Sequence, residues 1–321
     1  MPVIKSSYKA PFYLFSRHLQ TILPALFRKV GNVVYDRQRL TTPDDDFLDL
    51  DWSRVDSDIL VLLSHGLEGN TQTGYIKGMV KALNSHGWDT LAWNYRGCSG
   101  EINQQHRFYH SGETGDLHYV IQHCLSLNKY KEIFMIGFSI GGNITLKYLG
   151  EQSDEISPLI KKAIVFSVPT DLAAGAKHLA KFNSKVYMNR FLASLHLKLK
   201  AKAELMPDKI SLKEFKGIKT FYEFDERYTA PIHGFKNAEE YWKQNSSKQF
   251  IKKIRIPTLI VNAKNDPFLT LECFPMAETE NHPLVYLEMP DTGGHVGFYQ
   301  KSVEGKYWSE ERAIEFFEKG I

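Results

Sequence analysis

The chain has 321 residues, a length that fits one domain with an inserted cap. Its 40 Lys and Arg residues exceed the 37 Asp and Glu residues by only three and are spread along the chain, so a nucleic-acid-binding protein is not supported. Three separated cysteines, Cys98, Cys124 and Cys273, have no paired metal-ligand spacing, so we expect reduced thiols in a cytoplasmic protein without a zinc site.

Residues 1–30 are predicted to form an N-terminal strap over the core. From Tyr8 to Val30 the segment mixes aromatic residues, leucines and basic residues, as an interfacial helix does, so weak contact with a membrane surface stays open. The sequence His18-Leu19-Gln20-Thr21-Ile22 within it favours a fixed structural role. The segment lacks the features of a secretory signal, and no stretch approaches the roughly 20 apolar residues that span a bilayer, so we expect a soluble protein.

From residue 31 onward the pattern of apolar residues predicts alternating strands and helices. An opening pair of strands is joined by the acidic turn Pro43–Asp46, which we interpret as a solvated loop rather than a metal site. Because the following strands alternate with helices, the pattern predicts a mostly parallel sheet with helices on both faces. The predicted strands lie at 33–40, 47–52, 59–64, 90–95, 133–136 and 163–168, and the helices at 73–85, 115–127 and 143–149.

A glycine-flanked serine follows the strand at 133–136. The sequence Gly137-Phe138-Ser139-Ile140-Gly141 lies between this strand and the helix at 143–149. A nucleophile elbow requires this order, because its sharp turn strains the serine backbone and leaves no room for a Cβ on either side. We therefore predict that Ser139 is a nucleophile, with a structural turn serine as the alternative.

Between residues 170 and 250 the alternation breaks. Lysine-rich, helix-favouring residues predict a helical cap over 171–250, inserted between core segments 31–170 and 251–321. Apolar residues at helical spacing are predicted to pack inside the cap, and some of them to face the pocket. They are Phe182, Val186, Phe191, Leu195 and Leu199.

Two loops after later strands carry the predicted acid and base. Asp266 follows the strand at 257–264, and His295 ends a glycine-rich loop after the strand at 284–289. A nucleophilic serine needs a histidine base, and the histidine needs a carboxylate that fixes its tautomer. The chain order Ser139, Asp266, His295 is that of the α/β-hydrolase fold and not that of chymotrypsin or subtilisin.

Other assignments of these roles stay open. Asp171, after the strand at 163–168, is a competing acid, and Asp291 is a weaker rival because it lies close to His295 along the loop. Asp266 beside Pro267 is also consistent with a plain Asx turn, and His295 with a loop histidine that caps a helix. We favour Asp266 because a later strand normally carries the acid in this fold.

An oxyanion hole is predicted from two backbone amides. One belongs to Ile140, directly after the nucleophile, and the other to Leu67, in the loop His65–Gly69 after the strand at 59–64. We expect His65 to be a core histidine bonded to nearby backbone. Glu68 and Arg96 lie on loops near the expected mouth, where contact with substrate and structural salt bridges are both open.

These motifs extend to a wider resemblance. The chain is similar to the YheT branch of the α/β-hydrolases from about residue 10 to about residue 310. The branch is described as esterases, with eukaryotic relatives that act on medium-chain acyl esters or phospholipids or transfer acyl groups to alcohols. The resemblance places Ser139, Asp266 and His295 on the family's triad and implies an acyl-ester substrate. It is carried by the segments 18–22, 64–69, 94–100, 109–116 and 266–268.

The sequence therefore favours a serine esterase that cleaves carboxylic esters through an acyl-enzyme, without a cofactor or a metal. An apolar cap would favour lipophilic, short- to medium-chain acyl groups, because each buried methylene contributes about 0.8 kcal/mol. An acyltransferase with the same triad and a non-catalytic binding protein are the alternatives. The expected partner is a small-molecule ester, and the sequence does not predict an oligomeric state.

Overall fold

A nine-stranded sheet forms the centre of the protein. The structure, a computed structural model, describes residues 3–213, 215–300, 302 and 305–321, and of Phe182 it describes the backbone alone. The strands are β1 (Val3–Ile4), β2 (Asp36–Thr41), β3 (Phe47–Ser53), β4 (Ile59–Ser64), β5 (Asp89–Asn94), β6 (Glu132–Phe138), β7 (Ile160–Phe166), β8 (Thr258–Val261) and β9 (Val285–Glu288). The helices are α1 (Arg17–Phe27), α2 (Gly74–Ser85), α3 (Thr114–Ser126), α4 (Ile140–Gln152), α5 (Leu172–Leu179), α6 (Lys185–Leu205), α7 (Phe221–Phe224), α8 (Ala230–Ile232), α9 (Ala238–Asn245), α10 (Met276–Thr279) and α11 (Trp308–Lys319).

The strand order across the sheet is β1-β9-β8-β7-β6-β4-β5-β3-β2. Strand β3 is antiparallel to β2 and β5, and the other neighbours pair in parallel. Strand β4 pairs with β5 on one side and with β6 on the other, so the direction in which the chain builds the sheet reverses there. Ligands bind at such a reversal, outside the carboxyl ends of the strands. The loops after β4 and β6 leave the sheet side by side, because Ser64 is aligned with Gly137.

Both faces of the central strands are buried, which is why these strands are continuous apolar runs in the sequence. Leu60 and Leu62 of β4 belong to a core cluster that includes residues of α3 and α4. Val61 and Leu63 point to the opposite face, into a cluster that includes residues of α2 and α11. The predicted fold, a mostly parallel sheet with helices on both faces, is confirmed.

The cap lies between β7 and β8 and contains α5 to α9. Its apolar residues form a cluster with Phe108 and Phe268 of the core. The side chain of Lys202, on α6, is fully buried and donates to the backbone carbonyls of Asn103 (2.7 Å) and Gln105. A buried ammonium group is costly unless acceptors surround it, so this lysine fixes the position of α6 over the core.

The acidic turn at residues 43–46 matches its prediction as a solvated loop at Pro43 and Asp45, which are exposed, but the prediction is wrong for Asp46. Asp46 is buried, and its carboxylate accepts hydrogen bonds from Arg96 (2.8 Å) and Asn103 (2.6 Å). Burial alone would raise the pKa of Asp46, but hydrogen bonds from Asn103 and from backbone amides outweigh it and lower the pKa. Asp46 is buried because the guanidinium of Arg96 needs carboxylate partners inside the protein.

The N-terminal segment contains two elements that the sequence pattern did not predict. Strand β1 pairs in parallel with β9 at the edge of the sheet. Helix α1 begins after Ser16, whose hydroxyl accepts a hydrogen bond from the amide of His18 (3.3 Å). Among the residues that the structure describes, every helix is too short or too polar to cross a lipid bilayer.

Candidate active site

Ser139 occupies a strained turn between β6 and α4. Its φ of 54° and ψ of −122° are unusual for a residue with a side chain. A Cβ on Gly137 would lie 2.6 Å from the carbonyl oxygen of Gly141, and one on Gly141 would lie 2.4 Å from that of Ser64, so the turn requires both glycines. The amide of Ser139 donates to the carbonyl of Phe166 in β7 (2.8 Å), which fixes the turn to the sheet.

The structure brings Ser139, His295 and Asp266 together. The Nε2 atom of His295 lies 3.0 Å from the Oγ of Ser139. The Nδ1 atom of the same ring lies 2.9 and 3.2 Å from the two carboxylate oxygens of Asp266, which is buried. An ionised carboxylate can only accept a hydrogen bond, so the facing Nδ1 carries the hydrogen. Nε2 then has a free lone pair that accepts a hydrogen bond from the serine hydroxyl.

Neighbouring groups hold this acid and this base in place. The Oδ1 atom of Asp266 also accepts a hydrogen bond from the amide of Phe268 (2.8 Å). The ring of Phe268 stacks on the imidazole of His295, with centroids 4.0 Å apart and planes inclined by 26°. The imidazole is thus fixed at its edge by a carboxylate and on its face by a phenyl ring.

The two rival acids have other partners. Asp171 is the N-cap of α5, where its side chain accepts a hydrogen bond from the amide of Ala174 (2.9 Å). The side chain of Asp291 is exposed and forms an ion pair with Lys264 (2.7 Å). The geometry therefore favours Asp266 as the partner of His295.

The predicted oxyanion amides lie beside Ser139. A Cβ built on Gly66 would lie 3.3 Å from the Cβ of Ser139, so the loop after β4 contacts the elbow. Leu67 of this loop and Ile140 line the same cavity as Ser139. Ile140 is the first residue of α4, and the first amides of a helix have no partner within the helix, so they are available to an anion.

His65 is a core histidine, as predicted. Its Nδ1 donates to the carbonyl of Gly66 (2.8 Å), and its Nε2 accepts from the amide of Tyr95 (3.3 Å). Burial lowers its pKa to about 4, so the ring is neutral at physiological pH. It shapes the loop that carries Leu67 and has no free nitrogen for proton transfer.

Comparisons with known proteins agree with this geometry. A family model described as alpha/beta hydrolase fold matches residues 59–302. An Escherichia coli (strain K12) protein named "Putative esterase YheT" is 35% identical over 304 residues, which cover 92% of this chain and 88% of the relative. The chain belongs to the α/β-hydrolase family. Its resemblance to the YheT branch is confirmed.

Two further similarities concern more distant hydrolases. A Mus musculus protein named "Phospholipase ABHD3" is 28% identical over 309 residues, which cover 93% of this chain and 75% of that protein. A crystal structure of the Pyrococcus furiosus esterase Pf2001 superposes with a TM-score of 0.61 and 20% identity, and the match covers 91% of this chain and 95% of that one. At this identity the structural likeness shows the fold alone.

A cavity of about 120 Å³ opens from Ser139 and His295 of this α/β-hydrolase into the cap. Three of the apolar residues that were predicted at helical spacing, Phe191, Leu195 and Leu199, line it. Val186 instead is 76% exposed, and the side chain of Phe182 lies outside the described residues. Further apolar lining residues are Phe108, Leu172, Leu179, Phe221, Phe224 and Leu269.

An ion pair in the cavity wall joins the cap to the loop His65–Gly69. The Nζ of Lys198, on α6, lies 2.7 Å from a carboxylate oxygen of Glu68. The carboxylate of Glu68 also accepts hydrogen bonds from the hydroxyls of Ser194 and Tyr109, both at 2.8 Å. Burial would raise the pKa of Glu68, but the charge of Lys198 and the hydrogen bonds from Lys198, Ser194 and Tyr109 together outweigh it and lower the pKa. Glu68 therefore has a structural salt bridge at the cavity wall.

Arg96 is structural as well. Its guanidinium is almost completely buried and forms two hydrogen bonds of 2.8 Å with the carboxylate of Asp116, besides its bonds to the turn at residues 43–46. Such a bidentate pair satisfies the planar donor geometry of arginine. Contact of Arg96 with substrate, which the sequence left open, is not supported by this position.

Asp225 is a buried acid in the cavity wall. Its carboxyl oxygens accept hydrogen bonds from the hydroxyl of Thr229 (2.6 Å) and the indole nitrogen of Trp242 (2.8 Å). Burial raises its pKa to about 7, so near neutral pH the group is present in both its neutral and its ionised form. The carboxyl group of Asp225 is thus a polar group in the largely apolar wall of the cavity.

Among the described residues, one cluster of side chains is compact enough to hold a metal ion. It consists of His110, Glu113 and His233, whose ligand atoms all lie within 4.8 Å of one another. The Nδ1 of His110 accepts a hydrogen bond from the amide of Gly112 (3.2 Å), so the neutral ring carries its proton on Nε2, which faces Glu113. Glu113 is also paired with Arg107 (3.0 Å). His110 and Glu113 therefore already have protein partners, whereas the buried Nε2 of His233 has no hydrogen-bond partner among the described residues.

The sequence reasoning missed the residues that hold the loops of Asp266 and His295. The Oε1 of Gln20 accepts hydrogen bonds from the amide of Gly293 and the side chain of Asn265, both at 2.9 Å. The hydroxyl of Thr21 accepts from the amide of His295 (2.9 Å). The available signal was the pair of polar residues Gln20 and Thr21 among the apolar residues of the 18–22 motif, and both are buried.

Replacing Gln20 with leucine is expected to lower kcat by about ten- to a hundredfold with little change in KM. The substitution leaves the buried amide of Gly293 without its acceptor, which costs about 1–3 kcal/mol and loosens the loop of His295. Steady-state hydrolysis of a soluble ester measures both constants. The same substitution at Gln122, which is exposed on α3, is the control and should leave kcat unchanged. Equal kcat in both variants would contradict a positioning role for Gln20.

Proposed function

We propose that this protein is a serine esterase that cleaves carboxylic esters with lipophilic acyl chains. Ser139 is the nucleophile, His295 the general base and Asp266 the acid that orients it. The proposal rests above all on the continuous hydrogen bonds from Ser139 to His295 (3.0 Å) and from His295 to Asp266 (2.9 Å). Ester hydrolysis is further supported by the names of its relatives, among them an esterase and a phospholipase.

Two steps complete the proposed reaction. In the first, His295 takes the proton of Ser139 as its Oγ attacks the ester carbonyl, and the amides of Leu67 and Ile140 donate to the developing oxyanion. His295 then gives this proton to the leaving alcohol, and an acyl-enzyme remains. In the second step, water attacks the acyl-enzyme while His295 takes its proton, and the acid is released with Ser139 restored.

A lipophilic acyl group fits the cavity because its walls are aromatic and aliphatic. Octanoyl esters are therefore expected to have a kcat/KM at least about tenfold higher than acetyl esters, since a buried methylene contributes about 0.8 kcal/mol, or about fourfold. A series of 4-nitrophenyl esters measures this preference. A clear preference for acetyl would reject the lipophilic substrate and leave the triad proposal intact.

A matched pair of variants localises the preference to the cavity. Phe191→Ala removes a phenyl ring from the wall of the cavity and is expected to reduce the ratio of kcat/KM for octanoyl to kcat/KM for acetyl esters. Val186→Ala, on the same helix but exposed, should leave the ratio unchanged. Product analysis with added ethanol distinguishes an esterase from an acyltransferase, because an acyltransferase forms more ethyl ester than free acid, whereas an esterase forms mainly the acid.

A further inference from the structure

The N-terminal segment exposes large apolar side chains at both ends of α1. Phe12 and Phe15, before the helix, are 92% and 84% exposed, and Phe27, its last residue, is 70% exposed. Tyr13 and Leu26 are also exposed. Single exposed apolar residues are ordinary, but five of them between residues 12 and 27, at the two ends of a helix about 16 Å long, indicate an interaction surface.

All the charged residues of the same segment are basic. Its first 35 residues contain five Lys and Arg residues and no Asp or Glu, whereas the rest of the chain contains two more acids than bases. Lys5, Lys9 and Lys29 are exposed, and Arg28 is neutralised by an ion pair with Glu310. We define the N-terminal surface as these three lysines together with Phe12, Tyr13, Phe15, Leu26 and Phe27.

The inner face of α1 is fixed, so the N-terminal surface is held in place. Gln20 and Thr21 are buried against the loop of His295, and the Nδ1 of His18 lies 2.9 Å from the hydroxyl of Tyr187 in the cap. A fixed helix flanked by exposed aromatic residues and lysines has the composition of an element that lies in a membrane interface.

We propose that the N-terminal surface docks the protein on an anionic lipid bilayer. The aromatic side chains enter the headgroup region, and the lysines are attracted to the negative surface potential. A second copy of the chain fits this surface less well, because two such faces would bring like charges together. Docking places the loop of His295 and the cap near the bilayer, and the part of this inference that concerns lipid substrates rests on the proposed function.

Vesicle co-sedimentation tests the docking without using the enzyme's activity. Vesicles of ether-linked phosphatidylcholine, with or without ether-linked phosphatidylglycerol, contain no ester that the protein could hydrolyse. We expect the wild-type protein to bind the anionic vesicles and to bind the zwitterionic ones at least about tenfold more weakly, with a loss of binding at high salt. Wild-type protein that binds neither kind of vesicle would overturn the proposal.

Two variants separate the apolar and the basic contributions. The triple substitution Phe12→Ser, Phe15→Ser and Phe27→Ser is expected to weaken binding to anionic vesicles at least about tenfold. The triple substitution Lys5→Glu, Lys9→Glu and Lys29→Glu is expected to abolish the preference for anionic lipid. Both variants should hydrolyse a soluble butyrate ester at the wild-type rate, which shows that they are folded.

The control is the double substitution Val55→Ser and Leu127→Ser. Both residues are exposed and precede the amino ends of β4 and β6, at the edge of the sheet opposite Ser139. The control is expected to bind vesicles as the wild type does. Equal vesicle binding by the Phe triple variant and the wild type would overturn the proposal. So would a wild-type dimer in lipid-free sedimentation that this variant converts to a monomer, because the patch would then be an interface between copies.

Discussion

Replacing Ser139 with alanine is expected to lower kcat by about 10⁶-fold, to a residual rate that the oxyanion amides and substrate binding alone support. The substitution removes the only oxygen that lies 3.0 Å from Nε2 of His295 among the described residues. Alanine keeps the strain of the elbow unchanged, because any residue with a Cβ adopts the φ of 54° at similar cost. We therefore expect the melting temperature to stay within a few degrees of the wild type.

Two measurements check the role of Ser139. Hydrolysis of 4-nitrophenyl octanoate reports kcat, and labelling with a fluorophosphonate followed by peptide mass spectrometry reports which residue is nucleophilic. The wild-type protein should carry the label on Ser139, and the variant should carry none. Ser126→Ala, at an exposed position of α3, is the control and should be labelled and active. Wild-type turnover by the Ser139 variant would end the proposal of a serine esterase.

The sheet was predictable because its central strands obey a simple physical rule. Strands such as β4 and β6 are buried on both faces, so each is an unbroken apolar run whose limits are visible in the sequence. The elbow was predictable for a steric reason, since Gly137 and Gly141 leave no room for a Cβ. Chain order then pointed to Asp266 and His295, and the structure places them within hydrogen-bonding distance of each other.

The contacts that orient the site were not predictable, because they join residues that lie far apart in the chain. Gln20 bonds the amide of Gly293, 273 positions away, and Thr21 bonds that of His295, 274 positions away. The same limit explains the error at Asp46, whose burial depends on Arg96, 50 positions further on. Strand β1 has two residues and therefore no periodicity that a pattern could reveal.

Replacing Asp266 with asparagine is expected to lower kcat by about 10⁴-fold while the fold stays intact. The carboxylate of Asp266 accepts the hydrogen on Nδ1 of His295 (2.9 Å) and so leaves Nε2 free to take the proton of Ser139. An amide at this position turns its NH₂ group toward Nδ1 and selects the other tautomer. Nε2 then carries a hydrogen and cannot accept one. His295 keeps its position but has the wrong tautomer to act as the general base.

This mechanism makes the Asp266 variant different from the Ser139 variant. The nucleophile is still present, so a fluorophosphonate should label Ser139 of Asp266→Asn slowly rather than not at all. Asp291→Asn, on the exposed rival acid that pairs with Lys264, should keep full activity. The other rival, Asp171, caps α5, and because asparagine is an equally good N-cap, Asp171→Asn should keep both the fold and full activity. A large loss of kcat in Asp171→Asn together with normal turnover by Asp266→Asn would transfer the role of the acid, because only the carboxylate that bonds Nδ1 can set the tautomer of His295.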